Sequence, residues 1–334
     1  MTATAKDHLA RSSRNQFTSV RLNRETELRD DAQWVAKTLT SPNTRLVPLW
    51  RSRSLLERNI EGTLAIYLTP TDLVEPDRIQ PPTLLGNDGQ REYFAVSVTD
   101  SQKDTILAKL PNAQFTNLRM ASIDMAAKHA GILAYAKALH YWQHRHAFCG
   151  VCGNPNLLRS AGHRMVCTNE ECERETFPRI DPAIIVLVTH KEFCLLGRNA
   201  KWRPKHFSTL AGFVEPGESL EDAVVREVYE EVQLSLENIR YVSSQPWPFP
   251  ASAMCGFYAE ATDLDCGSSE EVEETGWFTV ESLTQAVLDD EVRLSPPVSI
   301  AFRLLADWFR NNGGGNLEEL VRRQRAMNIP ASTC

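Results

Sequence analysis

GFVEPGESLEDAVVREVYEEVQL, residues 212–234, is the stretch from which the rest of the chain can be read. Its opening, Gly212 to Gly217, holds two glycines and Pro216, which excludes a long regular element there. Ser219 with Asp222 three places on is the signature of a helix N-terminus closed by a capping box. At about 100° per residue, Val224, Val225, Val228 and Val232 share one arc, predicted to pack on the protein. Glu227, Glu230 and Glu231 fall on the adjoining arc, and Glu218 sits just ahead of the helix. Carboxylates aimed at one spot repel one another. A hard divalent cation, Mg²⁺ or Mn²⁺, makes sense of them, because it takes carboxylate oxygens and leaves positions for water and phosphate. Arg226, one turn before Glu230, is placed to pair with a carboxylate and orient it. The competing reading is a plain solvated acidic face; the loop and the fixed spacing favour the cation.

Upstream stand Cys149-x2-Cys152 and Cys167-x4-Cys172. Two close cysteine pairs separated in this way have the spacing of a zinc ribbon, each pair a knuckle at one end of a hairpin. Gly153 lets backbone N–H groups turn toward the thiolates. Disulfides are the alternative, but a reducing compartment keeps thiols free. Four sulfur ligands would close the coordination shell and make the zinc structural. The second pair is wider than the usual C-x2-C. Cys194, Cys255, Cys266 and Cys334 are scattered and read as buried or idle thiols.

The chain has 334 residues, 42% apolar and 24% charged, enough for two or three domains. Its net charge of −7 argues against a general nucleic-acid binder held by bulk electrostatics. No apolar run is long enough to span a membrane. The first residues, MTATAKDHLARSSRNQF, lack the apolar core of a secretory signal, so a cytoplasmic protein is expected.

The order along the chain is then as follows. Residues 1–20 read as a disordered lead-in, and 21–146 as an N-terminal α+β domain. Within it, β-prone runs cover 45–50, 62–68 and 92–98, and one helix covers 124–146. His140, His144 and His146 resemble a metal cluster, but a solvated helix end explains them as well. The zinc ribbon is assigned 147–177. Residues 178–312 form the domain around the opening stretch, with strands at 182–189, 192–196, 240–243 and 275–279 and a closing helix near 298–310. Arg198 to Ser208 reads as an exposed basic loop, and 313–334 as a flexible tail with one short amphipathic segment. Residues 244–252, SQPWPFPAS, alternate three prolines with Trp247 and Phe249. Such a segment is stiff and extended and is excluded from a central strand. Its rings suit stacking on a base, worth about 1–3 kcal/mol each. A buried aromatic–proline loop is the equal alternative.

Gly212, Glu218, Arg226, Glu227, Glu230 and Glu231 stand at the spacing G-x5-E-x7-R-E-x2-E-E, which resembles the box of the Nudix hydrolases. One position departs: where the family has Gly two residues after the last Glu, this chain has Gln233, and a shifted helix cap is expected. With the cysteine ribbon before the box and SQPWPFP after it, the chain resembles the NADH pyrophosphatase subfamily, whose bacterial members also hydrolyse NAD-capped RNA. The resemblance implies an α+β chain: a Nudix α/β/α sandwich with a zinc ribbon and an N-terminal α+β domain. It implies hydrolysis of the diphosphate of NAD(H) to NMN(H) and AMP, removal of NAD caps from RNA, and a homodimer.

Carried onto this sequence, the family's metal ligands become Glu227, Glu231, the backbone of Ala211 and a downstream glutamate, aligned to Glu271 beside Glu270, Glu273 and Glu274. Glu230, Arg226 and Glu218 complete the catalytic set. Substrate contacts become Gln245, Pro246, Trp247, Pro248, Phe249, Pro250, Ala251 and Ser252, with Phe177, Phe213 and Ala301. A polar contact in the family's ribbon aligns with Gly162 and is expected to be absent. Lys201, Arg203, Lys205 and His206 either line a path for RNA or are solvated loop residues. Rival readings are a Nudix diphosphatase acting on ADP-ribose or dinucleoside polyphosphates, a nucleotide sensor without activity, and a zinc-ribbon nucleic-acid binder.

Overall fold

The computed structural model describes residues 5–18, 20–73 and 81–327. The chain falls into two compact units, one of residues 16–180 and 246–252 and one of residues 1–15, 181–245 and 253–334. Helix α1 (Ala5–Ser12) belongs to the second unit. The first unit then runs α2 (Ala32–Leu39), β1 (Arg45–Trp50), β2 (Arg53–Asn59), β3 (Gly62–Ala65), β4 (Thr83–Asn87), β5 (Glu92–Ser97) and α3 (Asp100–Lys109). It continues through β6 (Ala113–Thr116), α4 (Leu118–Ala121) and α5 (Ala127–Arg145) to the ribbon strands β7 (Asn156–Arg159), β8 (Arg164–Cys167) and β9 (Glu175–Thr176).

The larger sheet of this unit has the order β3-β2-β1-β5-β4, with β6 pairing on β2. Among the described strands of this sheet, only β1 and β5 pair in parallel. Leu46, Leu55, Leu84, Phe94 and Val96 from the strands pack with Ile106 of α3. The β-prone runs at 45–50 and 92–98 are strands, while the run from Gly62 pairs as a strand only to Ala65. Beyond it Ile66 and Leu68 still donate to the Leu55 and Leu46 carbonyls at 3.1 and 2.9 Å.

Helix α5 starts at Ala127 instead of Asp124 and is buried over more of its circumference than one stripe, through Ala130, Ile132, Leu133, Ala136, Leu139 and Trp142. Its Gln143 is buried, and the side-chain amide donates to Thr83 Oγ1 at 2.7 Å and to the Gly162 carbonyl at 2.8 Å. A side chain at Gly162, where φ is +93°, would run into Thr83. Glycine at this position therefore serves packing. The three histidines do not form a metal cluster. His144 and His146 each direct Nδ1 to a backbone carbonyl, of His140 and Trp142, at 2.9 Å. His140 is not a solvated helix end either; it is 6% exposed, with Ser52 Oγ 3.3 Å from its Nδ1.

The second unit is built on a sheet of order β14-β15-β10-β11-β16, with β13 pairing on β10. Its elements are β10 (Asp181–His190), β11 (Phe193–Asn199), β12 (His206–Phe207), β13 (Leu210–Phe213), α6 (Leu220–Val232), β14 (Leu236–Trp247), β15 (Ser252–Ala261), β16 (Val272–Phe278), α7 (Val280–Leu288), β17 (Arg293–Leu294), α8 (Ile300–Asn311) and α9 (Leu317–Met327). Strand β10 explains the layering. Ile184, Val186 and Val188 pack with Val224, Val228 and Val232 of α6. The alternate residues Ile185 and Leu187 pack with Phe302, Leu305 and Phe309 of α8. A strand covered on both faces reads as a continuous apolar run, and 183–188 is one. This is the mixed α+β Nudix sandwich that the resemblance implies.

Three expectations need correction. Residues 5–12, expected to be disordered, form α1, after which Arg14 ion-pairs with Asp307 and Asn15 donates to Ser243 Oγ at 3.1 Å and the Ser244 carbonyl at 2.9 Å. The tail is not a flexible appendage as far as Met327: α9 lays buried Leu317 and Val321 into the same core as α7 and α8. The rest of the tail, 328–334, lies outside the described residues. Residues 244–252 are not one extended loop: Gln245 to Trp247 end β14 and Ser252 begins β15. Strand β14 is at the sheet edge, where Pro246 costs no interior ladder bond.

His163 gives the first unit a pH dependence. It is 9% exposed, and its Nε2–H donates to the Leu84 carbonyl at 2.7 Å. Burial pushes its pKa down to about 4, with Arg29 and Arg24 adding repulsion and the Leu84 bond opposing. The unfolded chain takes up this proton near pH 6.5 and the folded one does not, so the stability is full above about 6.5 and is lost as pH falls toward 4. We expect wild type to lose about 2 kcal/mol more than His163→Gln between pH 7 and 5, read from urea unfolding at each pH.

Candidate active site

Helix α6 has a capping box at its N-terminus: Ser219 Oγ accepts from the Asp222 amide at 3.0 Å, and Asp222 accepts from the Ser219 amide at 3.1 Å. It ends at Val232, with Gln233 itself in the left-handed region at φ 58°. The cap is not shifted; glutamine takes the conformation for which the family uses glycine, at a cost of about 1 kcal/mol.

The buried face of α6 is Ala223, Val224, Val228, Glu231 and Val232. Val225, expected on that face, is 43% exposed, and Glu231 occupies the stripe in its place. Position 231 lies seven residues after Val224 and three after Val228, so helical geometry turns it inward with them. Glu231 is 9% exposed, and its Oε2 has no hydrogen-bond partner. Burial raises its pKa to about 8, with Glu227 and Glu271 adding to the shift and a hydrogen bond from the Ala211 backbone opposing it. Burial also raises the Glu227 pKa, against the pull of Arg226.

Arg226 is the hub of the exposed half. It donates from Nε to Glu218 Oε1 at 2.5 Å and from Nη2 to Glu218 Oε2 at 2.9 Å. It also donates from Nη1 to Glu227 Oε1 at 3.0 Å and Glu230 Oε2 at 2.9 Å, and from Nη2 to the Phe213 carbonyl at 2.8 Å. These bonds hold the Glu218 pKa down to about 2. One guanidinium thus fixes three of the four box carboxylates and leaves Glu231 aside.

Strand β13 brings the loop to the helix. It pairs antiparallel with β10, Ala211 opposite Ile185 and Gly212 opposite Ile184. A Cβ at Gly212 would overlap the Glu227 carboxylate. The glycine is there so that the carboxylate can lie against the backbone.

The downstream glutamates separate by geometry. Arg198, 13% exposed at its side chain, pairs with Glu273 at 2.9 Å and Glu274 at 3.1 Å. Beside Arg198 and Asn199 the β11–β16 register shifts, and the Ala200 amide donates to the Glu271 carbonyl at 3.3 Å. Glu271 is the member of the group whose charge acts on both Glu227 and Glu231. Arg198 was expected in an exposed loop; it lies at the end of β11 and clamps two of the competing acids. The clamp shows only in the strand register, so the sequence alone did not reveal it.

These donors fit a divalent cation: hard oxygens, one of them buried without a partner, and a backbone cradle that a Cβ would fill. The carboxylates are less tightly gathered than the cysteines. Among the described residues, only Cys149, Cys152, Cys167 and Cys172 form a group of three or more whose ligand atoms all lie within 4.8 Å of one another. Cys149 Sγ lies 3.8 Å from Cys172 Sγ and Cys152 Sγ 3.3 Å from Cys167 Sγ, so none of these pairs is a disulfide. Sulfurs around a tetrahedral zinc stand about 3.8 Å apart, so the set fits zinc.

The remaining predicted contacts fall in both units. Phe213 in the second unit is 58% exposed and Phe177 in the first is 54% exposed, both with open ring surface. Gln245 is 1% exposed and bridges the Val298 carbonyl and the Ile300 amide at 2.8 Å each, which anchors the start of α8. Ala301 is 5% exposed within the core. In the first unit, the Trp247 and Phe249 rings meet at 5.1 Å, and Phe249 meets buried Phe17 at 5.6 Å edge-on. Arg119 lies over Trp247 at 5.0 Å. Pro248 and Ser252 are buried, while Pro246 and Pro250 are exposed and Ala251 is half-buried. These rings are already partly packed, as in the aromatic–proline-loop alternative.

Gly212 lies outside the left-handed region, so alanine there adds no backbone strain. We expect Gly212→Ala to fold with an unchanged far-UV spectrum while its added methyl displaces Glu227. Calorimetric titration with Mn²⁺ should show affinity reduced by roughly 10–100-fold; equal affinity would remove the assigned role of the glycine.

Comparison with known proteins agrees with this geometry. The NUDIX domain family matches residues 178–297, and the NADH pyrophosphatase-like rudimentary NUDIX domain family matches 43–142. NAD-capped RNA hydrolase NUDT12 of Macaca fascicularis is 34% identical over 238 residues, covering 67% of this chain and 52% of that protein. NAD-capped RNA hydrolase NudC of Pseudomonas fluorescens is 40% identical over 178 residues, covering 53% of this chain and 63% of that protein. The protein of that name from Stutzerimonas stutzeri is 40% identical over 217 residues, covering 65% of this chain and 76% of that protein. The chain thus spans about half the length of the first of these relatives. With a box that aligns its carboxylates on one helix, a Nudix sandwich around it and relatives of this extent, the chain belongs to the Nudix hydrolase family and carries a rudimentary NADH pyrophosphatase-like domain ahead of its Nudix domain.

Proposed function

We propose that the chain hydrolyses the diphosphate of NAD(H) to NMN(H) and AMP, and removes NAD caps from RNA 5′ ends. The carrying observation is the buried Glu231 carboxylate, without a partner on Oε2 and flanked by Glu227 and Glu271. Such a group is costly unless it meets a cation. The relatives are NAD-capped RNA hydrolases by name, which supports the choice of substrate. In this reading Glu227, Glu231, Glu271 and the Ala211 backbone hold Mg²⁺ or Mn²⁺, which when bound neutralises diphosphate charge and activates water. Arg226 orients Glu227 and Glu230 and, with Glu218, keeps the loop closed on the helix. Glu230, exposed and within the same cluster, or Glu231 takes up the proton of the attacking water. Phe213 and Phe177 each have an exposed ring face that suits a base, and residues 245–252 are further proposed substrate contacts. Zinc on the four cysteines is structural. We further propose an N-terminal domain over 21–146, a ribbon over 147–177 and a Nudix domain that starts at 178 and takes in α9, with a homodimer and a cytoplasmic location in keeping with free thiols. No described helix is long and apolar enough to cross a membrane.

A second reading, a diphosphatase of broader specificity for ADP-ribose or dinucleoside polyphosphates, draws on the packing of Trp247 and Phe249 against Phe17, which leaves less ring surface for nicotinamide. Product analysis with NADH, NAD⁺, ADP-ribose and NAD-capped RNA, in Mg²⁺ and then Mn²⁺, separates the two. We expect NMN(H) from the nicotinamide substrates and 5′-monophosphate RNA from the capped one; equal or faster turnover of ADP-ribose would overturn the nicotinamide assignment.

A further inference from the structure

A cavity of about 450 Å³ opens on the second unit, lined by α1, β14, β15 and the C-terminal end of α8. Its volume falls within the roughly 300–1,000 Å³ of small-molecule sites. Four guanidiniums, of Arg11, Arg14, Arg240 and Arg310, face a single lining carboxylate, Asp307. Arg14 forks onto Asp307, and Arg310 Nη2 donates to it at 2.6 Å. Asp307 and the negative end of the α8 dipole account for Arg14, whereas Arg310 gives Asp307 only Nη2 and is more than half exposed at its side chain. They do not account for the others. Arg11 donates from Nε to the Val242 carbonyl at 3.0 Å and sets Nη2 2.7 Å from His8 Nδ1, neither of them a carboxylate. Arg240 has its nearest carboxylate, Glu260, only at 3.8 Å and is 66% exposed at its side chain.

So much positive charge in one concavity of a chain with net charge −7 favours the entry of an anion. Guanidinium forks match phosphate oxygens in pairs, which a diffuse counterion does not exploit. Beside them Tyr241 is 40% exposed and stacks on His8 at 6.0 Å, an aromatic surface of the kind that bases use. We propose that this cavity binds the phosphate of a nucleotide unit, held by Arg11, Arg240 and Arg310 with the Tyr241–His8 pair at the rim. None of these residues belongs to the box, so the site stands whether or not the proposed reaction does. The phosphate can come from a free nucleotide or from an RNA backbone; both present the same chemistry.

The test is equilibrium binding to the full chain without added Mg²⁺ or Mn²⁺, with AMP and with a 5′-hydroxyl RNA pentamer as probes, for wild type and for Arg240→Gln/Arg310→Gln. Both arginines are more than half exposed at their side chains, so the double variant keeps the core intact. A single Arg240→Gln variant guards against disturbance at Asp307. We expect wild-type binding that weakens with added salt, and a loss of roughly tenfold or more in the double variant. Hydrolysis at the box should be unchanged. Tighter binding of the pentamer would identify RNA as the source, and tighter binding of AMP a free nucleotide. Equal affinity in wild type and both variants, or no salt-dependent binding at all, would overturn the proposal.

Discussion

One buried carboxylate constrains the second unit. Glu231 stands on the inward stripe of α6, between Val228 and Val232, where a leucine would satisfy the packing and a glutamate does not. A buried acid without a hydrogen-bond partner on one oxygen costs several kcal/mol or stays protonated. The surroundings worsen its position: Glu227 and Glu271 add negative charge, and only the Ala211 backbone relieves it. An arrangement that raises the energy of its own acid on three sides makes physical sense as a site prepared for positive charge.

The rest of the unit holds that arrangement in place. Strand β13 pairs with β10, and β10 is fixed by helices on both of its faces. The Gly212 backbone therefore meets the Glu227 carboxylate in one register, and slippage by a single residue would turn the loop away. Arg226 then ties the loop carbonyl of Phe213, Glu218 and two helix carboxylates into one network. On the far strand, Arg198 occupies Glu273 and Glu274, while the Glu271 charge acts on Glu227 and Glu231. Glu218, Glu227, Glu230, Glu273 and Glu274 stay together because two guanidiniums, of Arg226 and Arg198, hold them.

Much of this was legible in the sequence, and the limits have physical causes. The box carboxylates and Arg226 were legible because i, i+3 and i+4 spacing fixes their common face. The cysteine ribbon was legible because four thiols at that spacing have few other uses. Val225 and Glu231 were exchanged because a hydrophobic arc drawn from valines alone ignores the possibility that a charged residue lies on the buried stripe. Helix α9 was taken for a flexible tail because Gly313 to Gly315 precede it, whereas the burial of Leu317 and Val321 depends on residues far away in sequence. The choice among Glu270, Glu271, Glu273 and Glu274 rests on a strand register that local sequence does not encode. The roles of Gln245 and Trp247 turned on packing partners, Val298 and Phe17, far from them along the chain.

The most direct test of the central claim is the thermal stability of wild type and Glu231→Gln at pH 8, first in EDTA and then with Mg²⁺. The raised Glu231 pKa means that the folded wild type holds a proton the unfolded chain has lost between about pH 4.5 and 8, so its stability declines through that window when no cation compensates. The account predicts that in EDTA Glu231→Gln melts higher than wild type, and that Mg²⁺ raises the wild-type midpoint while leaving the variant nearly unmoved. Equal midpoints in EDTA together with equal responses to Mg²⁺ would contradict it.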